Sequence, residues 1–188
     1  MKKALILATC LCMCAGAAFA DHIGLYNEAA GTNCFRAAPW VPDGGSNFVF
    51  VIQKFNTGST GSEFKINNTS GAPFSSFTLG NAVYLTIGAP EGGISVSYTF
   101  CQNLPQFTII RLRYADDDLT GAAPTPCGKL EVVENPTAVP PVRQTAGCSS
   151  NLHPATGGSF YWGTGCPGCA DPTATEATTW GGVKALYR

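Results

Sequence analysis

The 188 residues carry 11 basic and 12 acidic side chains, a formal net charge of −1 and a charged fraction of only 12%. That balance excludes the basic stripe that nucleic acid or an anionic membrane surface demands. A chain of this length holds one well-cored domain, or one domain with an appendage, and its nine cysteines must be read through the compartment in which it folds.

The compartment is indicated first. Lys2 and Lys3 precede an apolar run from Ala4 to Ala18, and Ala18-Phe19-Ala20 has the small-x-small spacing of a cleavage site. This predicts a secretory signal peptide over residues 1–20, too short and wrongly flanked for a transmembrane helix. Leu7-Ala8-Thr9-Cys10 faintly resembles a lipidation site, but too little apolar chain precedes it. Cleavage after Ala20 would leave 168 of the 188 residues and remove Cys10, Cys12 and Cys14. Loss of Lys2 and Lys3 would take the net charge from −1 to −3. No later window is apolar enough to span a bilayer, so the expected location is secreted or periplasmic.

Asp21–Tyr26 alternates, with Ile23 and Leu25 on one face, and is expected as a first, edge strand with His22 at a frayed end. Gly31-Thr32-Asn33 turns toward Cys34, and Pro42-Asp43-Gly44 sets a tight turn within a Pro/Gly-rich loop. From Phe48 to Phe55 apolar residues fall at both parities, which needs a strand covered on both sides over part of its length, or a bulge. Gly58 to Gly61 leads into Phe64-Lys65-Ile66, with Glu63 and Lys65 outward. Phe74, Phe77 and Leu79 are expected in a loop that tucks aromatics inward. Val83, Leu85 and Ile87 form an alternating strand. Ile94 to Phe100 alternates so strictly that one face is Ser/Thr and the other apolar. Phe107 to Tyr114 returns with Arg111 and Arg113 outward, and Lys129 to Val133 follows as a further strand.

Seven or eight short strands separated by turn signals predict an all-β, two-layer β-sandwich of Greek-key or immunoglobulin-like topology over residues 21–145. A small barrel is the alternative. Asn135 to Pro141 reads as an extended, Pro-rich connector across the surface. Residues 146–175 form a disulfide-rich, Cys/Gly-rich C-terminal appendage ending in a low-complexity stretch, where Phe160-Tyr161-Trp162 can add one strand. Residues 176–188 are a tail in which Thr179 can cap a short helix.

The segments ADHIGLY (20–26), KFNTGSTGSEFKI (54–66) and ATEATTWGGVKALYR (174–188) together resemble a set of secreted proteins of environmental bacteria to which no activity is attached. The resemblance implies a secreted bacterial protein and transfers no functional residue.

The six cysteines beyond the leader are Cys34, Cys101, Cys127, Cys148, Cys166 and Cys169, an even number that predicts three disulfides in an exported chain. The expected pairing joins Cys34 to Cys101, Cys127 to Cys148 and Cys166 to Cys169. Its rival sends the last two cysteines to separate partners, Cys148 being one of them. Cys148, His153, Cys166 and Cys169 also have metal-like spacing, but an oxidising compartment favours disulfides over zinc. The C-x-x-C of Cys166 and Cys169 lacks the helix N-terminus that lowers a redox thiol's pKa. Asp116 and Asp118 could reach one calcium ion, although a solvated acidic turn accounts for Asp116-Asp117-Asp118 as well.

Two histidines, no G-x-S-x-G motif and no distinguished carboxylate pair leave catalysis without a foothold. Trp40 and Trp162 are the candidates for stacking on a sugar or other ligand, against the alternative that each is core. Asn67-Asn68-Thr69 fits a glycosylation sequon that a bacterial export signal leaves idle. The sequence therefore predicts a non-catalytic, cofactor-free module with a structural, adhesive or surface-interaction role. The expected partner is a protein or carbohydrate surface; a small-ligand or carbohydrate-binding module is the alternative, and a secreted hydrolase comes last.

Overall fold

The computed structural model describes residues 21–36, 47–56, 58–70, 72–114, 127–163 and 166–168. The expected leader (1–20), the expected tail (176–188) and any helix capped by Thr179 lie outside them.

The described residues are all β, and the strands are numbered in chain order. The first five are β1 (His22–Tyr26), β2 (Phe35–Arg36), β3 (Asn47–Lys54), β4 (Ser59–Asn68) and β5 (Phe74–Leu79). Next come β6 (Val83–Ala89), β7 (Gly93–Gln102), β8 (Gln106–Tyr114) and β9 (Gly128–Val133). The last four are β10 (Gln144–Gly147), β11 (Leu152–Pro154), β12 (Thr156–Gly157) and β13 (Ser159–Trp162). One sheet has five strands in the order β12-β1-β3-β8-β5. The other has eight, running β11-β10-β4-β9-β13-β2, with β7 paired to β4 and β6 to β7. The first half of β4 lies between β7 and β10, and its second half pairs with β9.

The two sheets close on one apolar core, as the alternation predicts. Val49, Val51, Ile110, Leu112 and Tyr114 come from the five-stranded sheet; Phe64, Ile66, Ile94, Val96, Leu130 and Val132 meet them from the other. Full burial of such side chains contributes roughly 1.5–3 kcal/mol each, the main force holding the layers together. The double parity of β3 has both expected causes. A register shift falls between Val51 and Ile52, and Phe50 packs on a second small cluster of Tyr26, Cys34 and Ile52 on the sheet's outer side.

Several expectations are corrected. β1 is not an edge strand with a frayed His22: it lies between β3 and the two-residue β12, and all five of its residues are buried. Phe74 to Leu79 is a strand, not a loop; the shift between Phe74 and Ser76 breaks the alternation that would have revealed it. Asn135 to Pro141 does not run as an extended connector. Asn135 is buried, bridges to Val142, and accepts from the amide and hydroxyl of Thr137, closing a loop whose tip is the exposed Val139.

The segment expected as an appendage supplies β11, β12, β13 and the end of β10. In particular, β13 fills the place between β9 and β2, bringing Phe160 and Trp162 into the core. Gly128 stands directly opposite Trp162, and a Cβ there would collide with the indole.

Candidate functional site

On the solvent face of the eight-stranded sheet, β6, β7, β4, β10 and β11 lie side by side, and their registers align two complete cross-strand rows. One row reads Leu85, Ser97, Gly61, Ala146, Leu152. The next reads Ile87, Ser95, Glu63, Gln144, Pro154. Small residues occupy the middle of the first row and large aliphatic ones its two ends. The result is a trough of about 490 Å³ with a floor of Gly61, Ala146 and Ser97 and rims of Leu85, Ile87 and Leu152. The rim residues are 51%, 70% and 62% exposed, more apolar surface than a solvated strand needs to show.

One charge lines the trough. Glu63 accepts from the Ser95 hydroxyl on one side (2.8 Å) and from the Gln144 amide on the other (2.7 Å), so its carboxylate is held along the row. Beneath the floor, the Ser62 and Tyr98 hydroxyls lie 2.5 Å apart and each is within hydrogen-bond distance of Oε1 of the buried Gln53 of β3, whose amide donates to Ser59. This network ties the trough strands to the opposite sheet with its polar atoms partnered. Burial pushes the Tyr98 phenol well above its usual range, the bond to Ser62 opposing part of that rise.

The near end of the trough is fastened covalently. Cys101 at the end of β7 is bonded to Cys148 just past β10, with Cα atoms 5.4 Å apart. The bond passes over the start of β4, where Ser59 pairs with Gln102 on one side and Gly147 on the other. Gly58 lies beneath it at φ +108°, and a Cβ there would come within 3.1 Å of Cys148 Sγ.

The second disulfide joins Cys127 to Cys166, Cα atoms 5.2 Å apart, and flanks the Gly128–Trp162 pair of β9 and β13. These bonds replace the expected Cys34–Cys101, Cys127–Cys148 and Cys166–Cys169 pairing. Strand register decides the matter, because it places each cysteine beside the strand paired with its own, whatever their distance in sequence. Cys34 is also disulfide-bonded, and Cys169 lies outside the described residues.

Trp162 is corrected from ligand platform to core: it is 2% exposed and packs near Phe160 and Tyr114. Trp40, Asp116 and Asp118 lie outside the described residues. The metal-like spacing of Cys148, His153, Cys166 and Cys169 is dispersed, with both described cysteines in disulfides and the His153 ring bonded to Asn151 at 2.9 Å. No cluster of metal-ligating side chains occurs among the described residues. The trough itself was missed, although the Ser/Thr face of residues 94–100 was half of its signal. The other half, Gly61 and Ala146 in the same row, needs register to be seen.

No family model and no curated protein sequence matches the chain. Among solved structures, the chain is similar to the sixth cohesin of Acetivibrio cellulolyticus scaffoldin B, determined in complex with a Cel5 dockerin mutant. That match has a TM-score of 0.52 at 9% identity and covers 77% of this chain and 99% of that one. It is also similar to a cohesin module from a Clostridium perfringens family 33 glycoside hydrolase, with a TM-score of 0.51 at 8% identity, covering 76% and 96%. At these identities the likeness establishes a cohesin-like sandwich fold.

Proposed function

We propose that the chain is an exported, non-catalytic docking module that seats a protein partner in the trough across β6, β7, β4, β10 and β11. The observation that carries this reading is the pair of aligned rows, small and polar at the centre and aliphatic at both rims. Five strands at about 4.8 Å spacing put the rims about 19 Å apart, room for an element of helix width, about 10–12 Å across. A sheet face stiffened by a disulfide and a buried polar network loses little freedom on binding, which favours affinity. The cohesin similar in fold was determined with a dockerin bound, which supports a protein as the partner. A carbohydrate module would instead present aromatic planes, whereas the trough rims are aliphatic and Trp162 is buried.

The test is site-specific photo-crosslinking in the native exported protein. A crosslinking side chain at Ser97 should capture a defined protein, and Leu85→Arg with Ile87→Arg should abolish capture without lowering the melting temperature. Equal capture from Arg113 on the opposite sheet would sink the reading.

A further inference from the structure

The outer face of the five-stranded sheet, on the far side of the sandwich from the trough, carries a different chemistry. Arg111 and Arg113 are two residues apart on β8, so both point outward, about 7 Å apart along the strand. The register sets Arg113 beside Ser76 and Arg111 beside Thr78 on β5, with Phe48 beside Arg113 on β3. These side chains and Phe77 line a cavity of about 140 Å³.

Neither arginine has a carboxylate within ion-pair distance among the described residues, where the ion pair present is Lys129–Glu131. Arg111 rests over the Phe48 ring with its Cζ 4.1 Å from the centroid. Its Nε is buried and has no acceptor among the described residues. Stacking leaves the in-plane N–H groups of a guanidinium available, and a desolvated donor without an acceptor is unfavourable until one arrives.

We propose that this cavity binds a tetrahedral oxyanion, sulfate or phosphate, either free or as an ester on a larger molecule. The strand register sets the four residues at the corners of a rectangle, two arginines on one strand and two hydroxyl residues on the next, all lining the same cavity. Such a frame addresses oxygens that diverge in three dimensions. A planar carboxylate would be satisfied by a single guanidinium fork and leave the hydroxyls unused. The site shares no residue with the trough, and its test is independent of the docking reading.

Calorimetric titration at matched ionic strength checks it, with inorganic sulfate, inorganic phosphate, acetate and dextran sulfate as probes. Saturable binding of sulfate or phosphate is expected, weakened at least about tenfold by Arg113→Gln and by Arg111→Lys, which keeps charge but loses the fork. The exposed pair Ser76→Ala with Thr78→Val should weaken it as well, and Lys65→Gln on the other sheet should not. Binding confined to dextran sulfate, with the same sensitivity to substitution, would identify the ligand as a sulfate ester on a polymer. Affinities unchanged by all these variants, no binding by any probe, or acetate binding as tightly as sulfate would overturn the proposal.

Discussion

Tyr98 shows how one buried hydroxyl links the two layers. Its phenol donates to Gln53 at 3.0 Å across the sandwich and meets Ser62 on the neighbouring strand. Tyr98→Phe should cost about 1 kcal/mol in urea unfolding, more if Gln53 is left short of a donor. The same phenol makes stability depend on alkaline pH. Burial raises the folded value above the usual 10.0 for both Tyr98 and Tyr114, the negative Glu91 adding to the rise at Tyr114. Above about pH 10 the unfolded chain releases these protons while the folded chain keeps them. Stability is therefore fully present below that value and falls above it, by about 1.4 kcal/mol per pH unit for each phenol. Tyr98→Phe should remove one proton's share of that slope, and an unchanged slope would show that Tyr98 does not contribute. At this scale the sequence conveys polarity but not surroundings. Trp162 reads alike as ligand platform or core, and only Gly128 facing it reveals which.

Strands were legible wherever alternation ran unbroken, as in β7, where Ser95 and Ser97 face out and Ile94, Val96 and Tyr98 face in. They were not legible where a bulge resets the phase, as in β5, or where two residues make the whole strand, as in β12, whereas Phe160-Tyr161-Trp162 was legible as a strand and falls in β13. Disulfide pairing was illegible for the same reason: it follows strand register, which composition does not carry. Replacing Cys101 and Cys148 together by Ser removes a 47-residue cross-link. The expected loss is up to about 4 kcal/mol in the chain-entropy account, measurable by denaturant unfolding of the variant against the parent. The β6 edge suggests a gentler experiment. Val83 to Ala89 contains no charge and no proline, and β6 pairs only with β7 among the described residues, so its outer rim can template pairing with another chain. Ile87→Lys should leave the unfolding free energy within about 0.5 kcal/mol of the parent's and slow aggregation on heating; unchanged aggregation would exonerate the edge.

For the whole molecule, the two-layer architecture was readable from strand count and turn spacing, but the extent of the sandwich was not. The connector at Asn135 resembles a domain boundary in composition, yet Arg143 just beyond it donates to Val132 and Ala155 and binds the two sides together. The proposed export, with cleavage after Ala20, is testable on the same molecule. Asp21 is buried and accepts from Thr145, so the first residue of the expected mature chain is already part of the fold. N-terminal sequencing of exported protein should begin at Asp21; a start several residues later would remove that contact and lower stability. If the leader cysteines leave with the signal, peptide mapping should pair Cys34 with Cys169, the cysteine that remains.

The pairing of β1 with β12 and of β2 with β13 also has a consequence in time. His22 lies beside Thr156, 134 residues away, and Phe35 beside Tyr161. The earliest strands to emerge during synthesis or translocation therefore wait for nearly the last before their sheets can close. Contacts this distant make folding slow, on the millisecond-to-second scale of all-β domains. Until those C-terminal strands are available both sheets lack members, and the chain locks only when β12 and β13 dock against β1 and β2.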